Sequence, residues 1–224
     1  MGKIVHYGDV CVYETTFDDA ASLGNVAVDS VYLRDASNKE ALTRLQKAGF
    51  LFVDRTLLAT ISLAKQTQDT RKLIRLPMIE THAYRSEILA IAIAAFTEDR
   101  RFHVMEQCNA SVAEKVLKHW VDELDQVLVC LLKEQPVGFL ALKELAPDTL
   151  FIHLAAVEEK SRLSGAAMSL YARAVEIAKM RGYKKLQGRI SSTNTAVMNI
   201  YSAFGATFSA PEDIMIKEVG HASR

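Results

Sequence analysis

The residues best suited to chemistry lie in two short stretches of the C-terminal third. The first is Val157-Glu158-Glu159-Lys160-Ser161-Arg162-Leu163-Ser164-Gly165-Ala166-Ala167, between an apolar β-rich run and a long amphipathic one. A turn of this kind ends at a helix N-terminus, where unpaired backbone N–H groups and the positive end of the helix dipole face outward. A diphosphate binds there without a dedicated side chain, provided the side chains at the turn are small. Ser164, Gly165, Ala166 and Ala167 meet that condition, and Arg162 adds a guanidinium fork. The second stretch, from Asn194 to Gly205, reads as a short helix closed by glycine and carries Tyr201. A phenol with a pKa of about 10 is protonated at neutral pH and can donate a proton. Each stretch alone is equally well a packing feature; their order and separation make the pair informative.

Several elements must position these residues. Periodicity and turn signals predict strands over 26–33 and 51–63 around a helix over 39–48, with Gly49 at the position after the helix end. The polar segment 64–76, followed by Pro77, reads as a linker or exposed excursion. Helices are predicted over 86–96 and 111–122, the second capped by Asn109 or Ser111. Strands follow over 126–133, 137–144 and 149–157, then a helix over 165–181, a strand over 185–191, a helix over 195–204 and a final pair of strands. Such a mixture predicts an α/β (α+β) fold, a mixed central sheet with helices on both faces. The expected division is a smaller N-terminal α/β subdomain, 1–76, and a larger domain, 77–224, that carries both stretches. The two parts echo each other. Asn38 stands seven residues before Leu45 and Gly49 four after it, as Asn194 and Gly205 stand about Tyr201. Chance is one explanation. The other is that 1–76 is a degenerate half-copy in which Leu45 replaces the tyrosine.

Bulk properties narrow the class. The 224 residues are 50% hydrophobic and carry 27 Lys+Arg against 27 Asp+Glu, so no basic excess marks nucleic acid as a partner. Cys11, Cys108 and Cys130 are odd in number and lack metal-ligand spacing, which argues against a disulfide framework or a metal. The most apolar run, 88–96, is too short to span a bilayer, and the N-terminus lacks a signal core. The expectation is a cytoplasmic protein with no membrane partner.

Arg162, Gly165 and Ala167 match the R/Q-x-x-G-x-G/A signature of the GNAT N-acetyltransferase superfamily, with Val157 as its hydrophobic anchor. Asn194, Val197, Ile200, Tyr201 and Gly205 match its second motif. The chain departs from the pattern at Glu158-Glu159-Lys160, where many members have a proline, and at Ala206, where an aromatic or apolar residue is usual. The resemblance implies acetyl-CoA as co-substrate. Its phosphates would lie on Arg162, Leu163, Ser164, Gly165, Ala166 and Ala167, its pantetheine arm or phosphates against Asn194, and its thioester sulfur beside Tyr201 as general acid. No metal is implied. His153 and Glu144 are candidates for a base, alternation placing His153 on the face of Phe151 and Ala155, although a structural role for the histidine is the simpler reading.

The segments around Glu14–Asp18, 45–50, 94–102, Trp120 and 192–196 resemble, more weakly, the nucleotide-sugar branch that acetylates dTDP-fucosamine. That implies a small-molecule amine acceptor, the 4-amino group of a nucleotide-linked deoxysugar used for surface polysaccharide. Arg100, Arg101, Phe102 and Trp120 would be its candidate contacts. A homodimer is compatible with this reading. The competing readings are transfer to another amine, such as a protein N-terminus, a polyamine or an antibiotic, and a non-catalytic acyl-CoA-binding module.

Overall fold

The computed structural model describes residues 2–7, 10–17, 28, 30–36, 38–96 and 112–218. Their strands are β1 (Lys3–Tyr7), β2 (Val10–Thr15), β3 (Ser30–Ala36), β4 (Leu51–Ser62), β5 (Met78–Glu80), β6 (Gln126–Leu132), β7 (Gln135–Ala146), β8 (Thr149–Val157), β9 (Lys185–Ser191) and β10 (Thr207–Glu218). The helices are α1 (Lys39–Lys47), α2 (Arg85–Phe96), α3 (Val112–Asp122), α4 (Ala166–Met180) and α5 (Thr195–Ala203). All the strands join one sheet in the order β1-β2-β3-β10-β4-β9-β8-β7-β6-β5. The mixed sheet with helices on both faces is the architecture expected.

The composition break at 76/77 has no counterpart in the sheet: β4, from the first segment, lies between β9 and β10 of the second. The polar excursion is not a free linker either. Its 3₁₀ turn, Thr70–Leu73, packs on α4, and Thr70 is buried. The final pair of strands is one strand, β10, bent where its pairing with β4 skips from Ser209 to Glu212 and Ala210 takes a positive φ of 45°. β1 and β2 escaped prediction because they are short and mostly half-exposed, so neither shows an apolar alternation.

Outward from the centre the sheet repeats itself. β10–β3–β2–β1 and β4–β9–β8–β7 both pair antiparallel, then parallel, then antiparallel, and β10 pairs antiparallel with β4. The segments 3–62 and 135–218 therefore trace the same path, each sending its last strand into the other's half. The echo in the sequence has a local counterpart. Asn38 caps α1 by accepting from the Glu40 and Ala41 N–H groups, and Asn194 caps α5 by accepting from Val197 N–H. At the far ends Phe50 N–H donates to the Leu45 carbonyl and Ala206 N–H to the Tyr201 carbonyl, around Gly49 and Gly205, whose φ values are 86° and 69°.

The main core lies on one face, where α4 and α5 cover β4, β7, β8 and β9 through Ala59, Ile61, Leu140, Leu150, Leu170, Leu186 and Tyr201. On the other face α2 and α3 cover Val127, Val129, Phe139, Ala141 and Leu154. At the central crossing Asp213 of β10 is fully buried and accepts from Arg55 Nε at 2.6 Å and Nη2 at 3.1 Å. Among the described residues no helix is long and apolar enough to cross a membrane. Asn38→Ala removes the side-chain N-cap of α1 and should lower stability by about 1 kcal/mol; chemical denaturation reads the change, and an unaltered midpoint would contradict the capping role.

Candidate functional site

The site is built where two parallel strands part. β8 and β9 pair from Thr149↔Lys185 to Ile152↔Gly188 and no further. Beyond that point β8 stays with β7 as far as Val157↔Gly138, and β9 stays with β4 as far as Thr56↔Ser191. A V therefore opens between residues 153–157 and 189–191, with Ile152 and Gly188 at its vertex.

β8 changes face at the vertex. Ala141 pairs with Leu154 and Leu142 with Ile152, so His153 is the extra residue of a β-bulge. Ile152, Ala155 and Val157 consequently face α4, whereas Leu154 and Ala156 face α2 and α3. The expectation that His153 shares a face with Ala155 fails for this reason: simple alternation does not survive an inserted residue. His153 is exposed, and desolvation, then Lys143, hold its imidazole below the usual pKa against the opposing pull of Glu123. It is therefore neutral at neutral pH. Glu144 is not brought to the V. It pairs with Leu150 toward the other end of β8 and accepts from the Tyr183 hydroxyl at 2.6 Å.

At the vertex, on the α4 face, sits Tyr201, 1% exposed. α5 carries it over β9 so that its hydroxyl packs on the Cα of Gly188, and a Cβ on Gly188 would collide with that hydroxyl. Its ring meets Tyr171 of α4 edge-on, with centroids 5.2 Å apart and planes at 82°. Burial, followed by Tyr171, pushes the Tyr201 pKa well above its ordinary value. The phenol is thus protonated throughout the neutral range. Gly188 and Tyr171 were not singled out in the sequence; a glycine inside an otherwise regular strand was the available signal.

At the open end of the V, β8 leads through the 3₁₀ turn Glu159–Ser164 to Gly165 and α4. Gly165 has φ 84°, a left-handed conformation that joins the 3₁₀ turn to the helix. Ser164 Oγ donates to the Ser161 carbonyl at 2.7 Å and accepts from Ala166 N–H at 3.3 Å. The first helical bond runs from Ser169 N–H to the Gly165 carbonyl, so the N–H groups of Ala167 and Met168 precede the ladder. Leu163 and Arg162 are exposed, and Lys160 is bound by Glu158 at 2.8 Å, which removes part of the acidic character of Glu158-Glu159 beside an anion. Val157 and the turn thus stand at the open end of β8, Asn194 follows the open end of β9, and Tyr201 lies over the vertex.

Of the acceptor candidates, Arg100, Arg101 and Phe102 lie outside the described residues, as do Asn109, Ser111 and Cys108. Trp120 is half-buried on α3 and packs between two apolar clusters near Tyr7, whose hydroxyl shares a hydrogen bond with it. Cys130 is buried, its thiol pushed up to about 11 by desolvation, which leaves it unreactive.

The sequence model of the acetyltransferase (GNAT) family matches residues 92–206, which include the V, the turn and Tyr201. The fold is similar to that of a functionally unknown conserved protein from Staphylococcus epidermidis, with a TM-score of 0.67 and 16% identity over 93% of this chain and 84% of that one. It is also similar to a GCN5-related N-acetyltransferase from Sphaerobacter thermophilus (TM-score 0.57, 15% identity, 90% of this chain and 63% of that one). A third similar structure is an acetyltransferase of the GNAT family from Novosphingobium aromaticivorans (TM-score 0.59, 12% identity, 91% and 81%). No protein of curated function matches the sequence.

The contact between Gly188 and Tyr201 makes a test of the vertex. Gly188→Ala should destabilise by roughly 1–3 kcal/mol, because the new methyl meets the phenol head-on. In a Tyr201→Phe background the cost should shrink, since the atom struck is the hydroxyl. Thermal melts of the two single variants and the double variant measure the coupling, and strict additivity would place the phenol away from Gly188.

Proposed function

Because the chain belongs to the acetyltransferase (GNAT) family, we propose that it moves an acetyl group from acetyl-CoA to a primary amine by direct attack, with Tyr201 protonating the departing thiolate. The observation that carries this reading is the V between β8 and β9, with the turn at Gly165 at one end and the Tyr201 hydroxyl at the other. Past Ile152 the main chain of β8 has no strand partner on the β9 side. The two amides of a pantetheine arm can pair there as an added strand would. The N–H groups at the start of α4 then receive the diphosphate, and the thioester comes to lie at the vertex.

The chemistry follows from that placement. The amine nitrogen attacks the thioester carbonyl carbon and the carbonyl electron pair moves onto oxygen. As the carbonyl re-forms, the C–S bond breaks and its electron pair stays on sulfur. Tyr201 gives its proton to that sulfur, which would otherwise carry an unsolvated charge in a dry pocket. The surplus proton on the amine must go to a base or to water. His153, next to the vertex and neutral for the reasons given, is able to accept it.

The acceptor favoured by the resemblance along the chain is a nucleotide-linked 4-amino-deoxysugar. Its diphosphate would look for cations, and Arg100 and Arg101 are the candidates for that clamp. The packing of Trp120 makes it a supporting residue for this face in preference to a stacking platform.

Tyr201→Phe should cut turnover roughly 10²–10⁴-fold with acetyl-CoA affinity retained. In the unaltered enzyme, the upward displacement of the Tyr201 pKa means that deprotonation of this acid causes no loss of rate below about pH 10. A variant as fast as the parent, with acyl transfer rate-limiting, would remove Tyr201 from the mechanism. Gly165→Val should abolish acetyl-CoA binding in calorimetry, because the branched side chain neither tolerates the left-handed backbone nor clears the phosphates. For the acceptor, kcat/KM should be much higher for the nucleotide-linked sugar than for the free amino sugar, because remote binding energy is lost with the handle. Faster acetylation of a free sugar, polyamine or peptide would reject the sugar-nucleotide assignment and leave acetyl transfer standing. Binding of acetyl-CoA with no release of CoA in the presence of any amine tried would favour the non-catalytic module.

A further inference from the structure

The turn that faces the proposed diphosphate is bordered by a second segment, which comes from the other end of the chain. The excursion between β4 and β5 crosses the first turns of α4, and Ser169 fixes it there. The Ser169 hydroxyl, fully buried, donates to the Leu73 carbonyl at 3.2 Å and accepts from Arg75 N–H at 3.1 Å. Two consecutive main-chain contacts thus hold the backbone of residues 73–75 against the helix start. They leave the Arg75 side chain beside Gly165: a Cβ built on Gly165 would find one heavy atom within 4 Å, the Cδ of Arg75, at 4.0 Å. Arg75 is exposed, and its guanidinium has no hydrogen-bond or ion-pair partner among the described residues. Two nearby cations are engaged instead. Arg71 is held by Asp69 and Lys160 by Glu158.

An arginine anchored through its own backbone next to a left-handed glycine, with its charged head unpaired, suits one kind of ligand, a dianionic phosphate brought to that glycine. We propose that Arg75 is a second guanidinium for the acetyl-CoA diphosphate, closing over it from the side opposite to the α4 N–H groups. This rests on the acetyl-CoA reading above and adds a binding residue outside both sequence motifs and outside the matched stretch 92–206. It gives the N-terminal segment a direct part in holding co-substrate, with Ser169 as the positioning residue.

The test uses the full chain and three probes: CoA, dephospho-CoA, which keeps the diphosphate, and pantetheine, which lacks it. Dissociation constants for the first two come from calorimetry and for pantetheine from an NMR titration. Arg75→Ala should weaken CoA and dephospho-CoA alike, by roughly tenfold or more, and leave pantetheine unchanged. Arg75→Lys should recover part of the loss, since a point charge remains without the fork. Ser169→Ala should show the same pattern as Arg75→Ala at smaller size, with its melting temperature checked to exclude collapse of the loop. Unchanged CoA affinity in Arg75→Ala would overturn the proposal. So would a loss confined to CoA, which would place Arg75 on the 3′-phosphate, or an equal loss with pantetheine, which would mark general damage. Failure of the parent protein to bind CoA would instead remove the acetyl-CoA reading, and this proposal with it.

Discussion

Parallel pairing between β8 and β9 ends at Ile152 and Gly188, and the opening beyond it is possible because each strand keeps its outer neighbour. A sheet normally closes such a gap, since unpaired main-chain groups next to an apolar interior are costly. Here β7 holds one wall and β4 the other. The β9 wall is also pinned from the far face, where Arg189 reaches across β4 to Glu212 at 2.9 Å and to the Ala210 carbonyl at 3.0 Å. The inserted residue at His153 bends β8 at the same level. The gap is therefore a property of the whole sheet, and the residues that border it are placed by strands that are themselves held elsewhere.

The vertex shows how close the packing is. Gly188 is required because the Tyr201 hydroxyl takes the space that a side chain would fill, and Tyr171 closes the remaining side. The phenol is held in one place by a backbone and a ring together. The same burial that fixes the phenol keeps it protonated.

The turn at Gly165, the helix with Tyr201 and the mixed sheet were legible in the sequence because each has a local signature: small residues before an amphipathic run, a capping asparagine, a glycine four residues past the tyrosine. What was hidden depends on contacts between distant residues. Nothing near Arg75 in the sequence points to Gly165, 90 residues later. The bulge at His153 is visible only in the register against β7. The placement of β4 between β9 and β10 could not be read from its composition, since a buried strand looks alike in any slot. Glu144 was plausible as a base from its position on a strand, but a strand has two ends, and this residue is engaged by Tyr183 at the wrong one.

The exchange of last strands between the two halves of the sheet also governs the order in which the molecule can be assembled. β3 and β4 are separated by β10, which follows both by a long stretch of chain and is the last of the described strands. As the polypeptide emerges from the ribosome, the facing edges of β3 and β4 must wait for the whole stretch between β4 and β10 before their slot is filled. Contacts of such long sequence separation are slow to form, and unpaired edges attract other chains in the interval. The N-terminal segment can collapse early around Leu33, Leu45 and Phe50, but its sheet closes only when Met215 arrives between β3 and β4. Completion of the fold and completion of the opening between β8 and β9 are consequently one event: the strand that joins the two halves also provides Glu212 and Ala210, the anchors for the β9 wall.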